Sequence, residues 1–270
     1  MPKSRLDLLL VERGLADSRS QAQRLVMAGQ VRVDGQVALK PSASVDSGVK
    51  LNIEQPPPFV SRGGEKLQAA LQEFGVSVQG RACADVGAST GGFTDCLLQH
   101  GAARVYAIDV GQGILHWKLR QDARVVVMEK TNARYLERLP EPVPLVTIDA
   151  SFISLKLLLP VVRNWFPPGA TDQDLLTLIK PQFEAGRKQV ARGDGVIRDP
   201  QIHRQVLLDV LAYAVQEGYT LRGLLRSPLL GPKGNTEFLA WLNYPMPQGA
   251  FIPITDLEEL VERVVPLSQL

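Results

Sequence analysis

Five short strand-like, mostly apolar runs, at residues 82–86, 105–108, 125–128, 145–148 and 175–179, recur along the chain with helical patterns between them. A strand that is apolar at successive positions is buried on both faces, which happens where helices cover both sides of a parallel sheet. The alternation therefore predicts an α/β fold built on a doubly wound parallel sheet. Two further runs, at 219–225 and 237–242, flank the turn-rich GPKGN and suit an antiparallel pair. Together they bring the expected sheet to about seven strands, the last one antiparallel.

Pro56, Pro57 and Pro58 can continue neither a helix nor a central strand, so a stiff linker at 56–60 is expected to divide residues 1–55 from residues 61–270. The N-terminal segment reads as helix, helix, small sheet. Ser4 and Asp7 have capping-box spacing ahead of Leu6, Leu9 and Leu10, and Ser18 and Gln21 repeat it ahead of Ala22, Leu25 and Val26. Asp34-Gly35 between alternating valines is a hairpin signal, and residues 49–53 suggest a closing strand.

The net charge of +2 is unevenly distributed. Residues 1–50 hold 8 Lys and Arg against 5 Asp and Glu, and the remainder 22 against 23, so the basic excess sits on the small module. Such an excess suits a nucleic-acid contact, although a solvated face gives the same count. The apolar runs are too short to cross a bilayer, and the acidic C-terminal TDLEELVERVV does not suit a membrane-lytic helix. Cys83 and Cys96 lack metal-ligand spacing and are expected to be reduced cytosolic thiols.

ADVGASTGGFTD, residues 84–95, is a strand leading through a glycine-rich turn into a helix, the arrangement that places a nucleotide-like ligand at the carboxyl edge of a sheet. Gly87, Ser89, Thr90, Gly91 and Gly92 would form the turn. The spacing is not that of a dinucleotide fingerprint. Asp85, just before the turn, would repel a pyrophosphate but suits the cationic amino-acid portion of S-adenosylmethionine. Asp109 and Val110 end the next strand, with Asp109 placed to accept from ribose hydroxyls. Asn132, after the third strand, would approach the adenine or cap a helix.

Over nearly its full length the chain resembles a known family. RLDLLLVERGLADSRSQAQRLVMAGQVRVDG is similar to an S4-type RNA-binding domain, a small α+β module. FVSRGGEKL, DVGASTGGFTD, TIDASFISL, LIKPQFEAGR, GVIRDPQIH and GPKGNTEF resemble motifs of the TlyA family, also called haemolysin A. The resemblance implies a Rossmann-like, FtsJ-related methyltransferase domain, cytoplasmic, that uses S-adenosylmethionine to methylate cytidine 2′-hydroxyls in ribosomal RNA of one or both subunits. Some members act on the large subunit only, and the first helix's closeness to the chain's start favours that narrower range.

It also implies a Lys-Asp-Lys-Glu tetrad at Lys66, Asp149, Lys180 and Glu237, with Lys180 central as base or as stabiliser of developing oxyanion charge. No metal is expected. The topology expected above would gather Asp149, Lys180 and Glu237 at one sheet edge, with Lys66 at the start of a helix capping it. Taken singly, each has a plainer reading: Asp149 as a helix cap near Leu155, Lys66 and Glu237 in surface ion pairs, Lys180 as a strand end. Arg5, Arg19 and Arg24 on the small module and Arg62 near the linker are the expected RNA contacts, with Lys188, Arg192 and Arg198 extending the basic track.

Overall fold

The computed structural model describes residues 3–54, 57–186, 195–246 and 254–266. Lys188 and Arg192, and Pro56 of the expected linker, lie outside the described residues. The chain forms two compact units, Met1–Pro57 and Pro58–Leu270.

In the first unit β1 (Lys3–Arg5) runs directly into α1 (Leu6–Glu12), followed by α2 (Arg19–Met27), β2 (Val31–Val33), β3 (Gln36–Val37), β4 (Ser44–Asp46) and β5 (Leu51–Ile53). Leu6, Leu10, Ala22, Val26 and Val31 form its core. Helix α2 begins as its sequence predicts. Ser18 Oγ accepts from the Gln21 backbone N–H at 3.3 Å, and the Gln21 side chain accepts from the Asp17 N–H at 2.7 Å, so two backbone donors near the helix start are satisfied. Asp34 and Gly35 both have positive φ, 49° and 85°, as a two-residue hairpin turn requires, and β5 closes the sheet on β2.

The start of α1 departs from its capping-box reading. Ser4 is not a cap; it pairs with Val45 in a two-stranded ribbon of β1 and β4 that the sequence did not reveal. Asp7 is fully buried and accepts from Arg5, Gln23 and Arg19. The Arg5 hydrogen bonds, helped by those of Gln23 and Arg19, hold its carboxyl well below the usual range against the opposing effect of burial. Of the arginines expected to face RNA, Arg19 thus also fastens α2 to α1, and Arg5 holds the same carboxylate from β1.

The second unit contains α3 (Gly63–Phe74), β6 (Ala82–Val86), α4 (Gly92–Gln99), β7 (Arg104–Ile108), α5 (Trp117–Arg120), β8 (Val125–Met128), β9 (Leu145–Ile148), α6 (Leu159–Val162), β10 (Gln173–Ile179), α7 (Pro181–Glu184), α8 (Pro200–Gln216), β11 (Thr220–Arg226), β12 (Phe238–Tyr244) and α9 (Ile254–Val264). Its seven strands lie in the order β11-β12-β10-β9-β6-β7-β8. The pairings among β6 to β10 are parallel, and β12 is antiparallel to both β10 and β11. Successive residues feed opposite core layers, as strand alternation demands: Leu175 and Ile179 pack with Trp165, Leu207 and Tyr219, while Leu176 and Leu178 pack with Leu67, Phe93 and Leu97.

Two crossovers are shorter than the helical patterns suggested. Gly111 and Gly113 leave room only for the four-residue α5 between β7 and β8. Between β8 and β9 there is a single 3-10 turn, Ala133–Tyr135, because Pro140, Pro142 and Pro144 follow and lack the N–H a helix needs. Helix α9 buries Leu257 and Val261 in the core, so the apolar face of this acidic segment is covered. Among the described residues no helix is long and apolar enough to cross a membrane. From β6 the chain steps outward to β7 and β8, then returns to β9 on the other side of β6. The carboxyl ends of β6 and β9 are therefore the switch point at which ligands enter such sheets.

Candidate active site

Gly87 follows β6 directly, with φ of 81°. A Cβ there would lie 2.8 Å from the Asp149 carbonyl oxygen and 3.0 Å from the Ala150 nitrogen, so glycine lets the turns after β6 and β9 touch. Most of the turn's N–H groups are already used inside the protein. Gly87 and Ala88 donate to the Ile108 carbonyl, Gly91 to the Ala88 carbonyl, and Ser89 to Asp109 Oδ2 at 2.8 Å. A pyrophosphate would find few free donors here, which agrees with the absence of a dinucleotide fingerprint. Asp109 Oδ1 also accepts from the Gly111 N–H at 2.7 Å, and its remaining lone pairs face a cavity of about 750 Å³ lined by Gly87, Ser89, Val110 and Asn132. Asn132 caps the 3-10 turn, accepting from the Arg134 N–H at 3.1 Å, and it also lines this cavity.

A second cavity, of about 410 Å³, is lined by Arg62, Lys66, Thr90, Gly92, Lys180 and Glu237. Gly87, Ser89, Asp149 and Ser151 line both cavities. A larger cavity, about 1170 Å³, opens beside the starts of β9 and β10, at the opposite edge of the sheet from the glycine turn.

Asp85 corrects an expectation. It lines neither ligand cavity and is fully buried, its two oxygens accepting from Thr94 Oγ1 at 2.6 Å and Thr147 Oγ1 at 3.1 Å. It ties β6 to α4 and β9, and so shapes the turn from behind. Gly91 likewise lines neither cavity and packs against Leu115 and Leu119. Burial, opposed by the Thr94 hydrogen bond, pushes the Asp85 carboxyl up to about 7. A raised folded value means the native state holds this proton more tightly than the unfolded chain. The resulting stability is complete below the ordinary carboxylate range and is lost as pH rises toward 7. Asp85→Asn should remove that part of the decline in melting temperature between about pH 4 and 7. An unchanged pH slope in the variant would show that Asp85 does not titrate there.

The four expected tetrad residues converge as two lysine–carboxylate pairs. Lys66, in the first turn of α3, meets Glu237, just before β12, at 2.6 Å, with side-chain exposures of 10% and 0%. Lys180, after β10, meets Asp149, after β9, also at 2.6 Å, with exposures of 7% and 22%. These are buried pairs, which sets aside the surface-ion-pair alternative. The helix-cap alternative for Asp149 also fails, because Ser154 caps the turn that starts at Leu155. Gln182 Nε2 donates to Glu237 Oε1 at 3.4 Å. Gly231, in GPKGN, is what lets Glu237 approach: a Cβ there would sit 2.0 Å from Glu237 Oε1.

Sequence reading missed Ser151, Phe152 and Gln182. Lys180 Nζ donates to Ser151 Oγ at 3.0 Å. Phe152 is 90% exposed, has a φ of 64° and rests on Phe183 with ring centroids 4.9 Å apart. A bulky residue held in the left-handed region and facing solvent points to a role other than packing, but neither property is visible in the string DASFISL. Arg62, Arg24 and Arg198 are exposed; Arg5 and Arg19, bound to Asp7, keep 42% and 53% of their side chains exposed.

Residues 59–244 match the FtsJ-like methyltransferase family, and residues 4–51 match the S4 domain. The rRNA methyltransferase-named YqxC of Bacillus subtilis is 48% identical over 96% of this chain and 93% of its own length. The 16S/23S rRNA (cytidine-2'-O)-methyltransferase TlyA of Mycobacterium tuberculosis is 45% identical over 97% of each chain. A solved structure named as a hemolysin from Streptococcus thermophilus superposes with a TM-score of 0.71, at 43% identity, over 97% of this chain and 96% of the other. A cavity floored by a glycine turn and walled by two lysine–carboxylate pairs, on a chain matching these relatives from end to end, places the protein in the TlyA family of FtsJ-like methyltransferases carrying an N-terminal S4 domain.

Proposed function

We propose that this protein transfers a methyl group from S-adenosylmethionine to the 2′-hydroxyl of a cytidine in ribosomal RNA. The observation that carries the reading is that Lys66–Glu237 and Lys180–Asp149 meet at a cavity that shares a wall with the cavity beside the glycine turn.

The cavity of about 750 Å³ suits the cofactor in size and charge: Asp109 presents a carboxylate with no ion-pair partner among the described residues, Val110 and Leu158 give apolar surface, and the turn's N–H groups are largely spent. S-adenosylmethionine bound there supplies an electrophilic methyl on a sulfonium. Asp109 would accept from its ribose hydroxyls, and Asn132, which lines the same cavity, would approach the adenine. The protein's remaining tasks are to orient the attacking alcohol and take up its proton. Lys180 is placed for both, oriented by Asp149, while the Lys66–Glu237 pair holds a second ammonium near the developing oxyanion. Phe152, exposed at the rim, offers a face on which a base turned out of its helix can stack.

The S4 domain is read as the module that grips rRNA through phosphates and shape. Arg24 gives the cleanest test. Arg19→Glu would set a second carboxylate beside buried Asp7 and confound folding with binding, whereas Arg24 makes no side-chain hydrogen bond or ion pair among the described residues. Arg24→Glu should weaken rRNA binding several-fold at about 0.1 M salt and flatten its salt dependence by about one phosphate contact. Equal affinity at several salt concentrations would remove Arg24 from the interface.

The reaction itself is tested by incubating the purified protein with S-adenosylmethionine labelled on its methyl group and with 50S subunits, 30S subunits and free rRNA, then mapping the modified ribose. A label on a cytidine 2′-oxygen supports the reading and identifies the subunit. A label on a base, or cofactor binding without transfer to any of these RNAs, overturns it.

A further inference from the structure

Three oxygens surround Lys180 Nζ: Asp149 Oδ1 at 2.6 Å, Ser151 Oγ at 3.0 Å and the Asp149 carbonyl at 3.3 Å. Ser151 Oγ and the Asp149 carbonyl accept hydrogen bonds from the ammonium, and the Asp149 carboxylate oxygen lies against it as its ion-pair partner. The acceptors differ in kind. A carboxylate and a carbonyl only accept, whereas a serine hydroxyl can accept or donate by rotating about its own bond. Ser151 is exposed, lines both cavities, and bonds to no other side chain among the described residues except as an acceptor for Lys180. It is the one of the three that can let go of the lysine without disturbing the carboxylate–lysine pair.

We propose that Ser151 is a positioning residue for methyl transfer, acting through Lys180: its hydroxyl holds one hydrogen-bonding direction of the lysine nitrogen until the substrate hydroxyl takes that place. The inference rests on the function proposed above. In the transfer step the ribose oxygen bonds to the methyl carbon while the carbon–sulfur bond breaks and leaves its electron pair on sulfur. The hydroxyl proton passes to Lys180 in its amine form. An amine keeps two N–H groups, which the two Asp149 oxygens can hold, and its lone pair must point toward the ribose. Ser151, turning its hydroxyl away from Nζ, vacates that direction and can itself bond to the incoming ribose oxygen. Without the hydroxyl, the long lysine chain loses one of the contacts that fix its nitrogen beside the residues the two cavities share, and misplacement there slows chemistry more than it weakens binding.

The test compares wild type, Ser151→Ala and Ser151→Thr in steady-state methyl transfer to rRNA, with cofactor affinity measured separately by calorimetry. Ser151→Ala should lower kcat about 10- to 100-fold. KM for RNA and the calorimetric Kd for S-adenosylmethionine should stay within about threefold of wild type. Ser151→Thr, which restores the hydroxyl, should recover most of kcat. A kcat for Ser151→Ala within about twofold of wild type, equal losses in the Ala and Thr variants, or a loss confined to KM or Kd overturns the inference while leaving the proposed reaction standing. A wild-type protein that binds the cofactor but methylates no rRNA overturns both.

Discussion

Lys180→Ala is expected to lower kcat for methyl transfer by about 10³-fold or more, with S-adenosylmethionine binding within about threefold of wild type. The chemical step pairs an excellent leaving group with a poor nucleophile, so the catalytic burden falls on the proton and on orientation. Lys180 lies at the junction of both demands. Its side chain is 7% exposed, is ion-paired with Asp149, and lines the smaller of the two joined cavities. Arg at this position keeps the charge but cannot take a proton, so Lys180→Arg should be nearly as slow as Ala. A near wild-type rate for either variant would remove Lys180 from the chemistry and leave the pair with Asp149 as a structural feature.

Lys66→Ala should damage both stability and turnover. Glu237 is fully buried, and without Lys66 its carboxylate keeps, among the described residues, only the long hydrogen bond from Gln182. Stranding one member of a buried pair costs about 3–5 kcal/mol. For a unit of this size that is a fall in melting temperature of roughly 10 °C. The double variant Lys66→Met with Glu237→Gln removes both charges and should regain much of the stability while staying inactive, which separates the structural from the catalytic contribution. Gly231→Ala approaches the same pair from the other side, because its new methyl would occupy the place of Glu237 Oε1. It should lose activity with Lys66 intact. If Lys66→Ala melts within about 2 °C of wild type, Glu237 is not held as a buried carboxylate by this lysine.

Much of the architecture was legible because local chemistry and tertiary structure agree. The runs at 82–86, 125–128 and 145–148 are mostly apolar, and they became parallel strands with those limits. Ser18 with Gln21, and Asp34 with Gly35, carry their signals in side chains that bond to backbone nearby or in residues that tolerate positive φ. Such signals depend on neighbours a few residues away. The same logic failed at Ser4 and Asp7, where capping-box spacing is present but a distant strand, β4, pairs with Ser4, and two arginines and a glutamine claim Asp7.

The site divides in the same way. By itself the sequence determined the order of elements, the glycine turn after β6, and, through family resemblance, the four residues Lys66, Asp149, Lys180 and Glu237. Only the tertiary structure decided that they couple as Lys66 with Glu237 and Lys180 with Asp149, across 171 residues in the first case. It alone turned Asp85 inward, away from the cavity, and brought Ser151 against Lys180. Which carboxylate meets which lysine depends on strand order, and strand order is set by burying two faces of one sheet, a global condition that no short window of sequence contains.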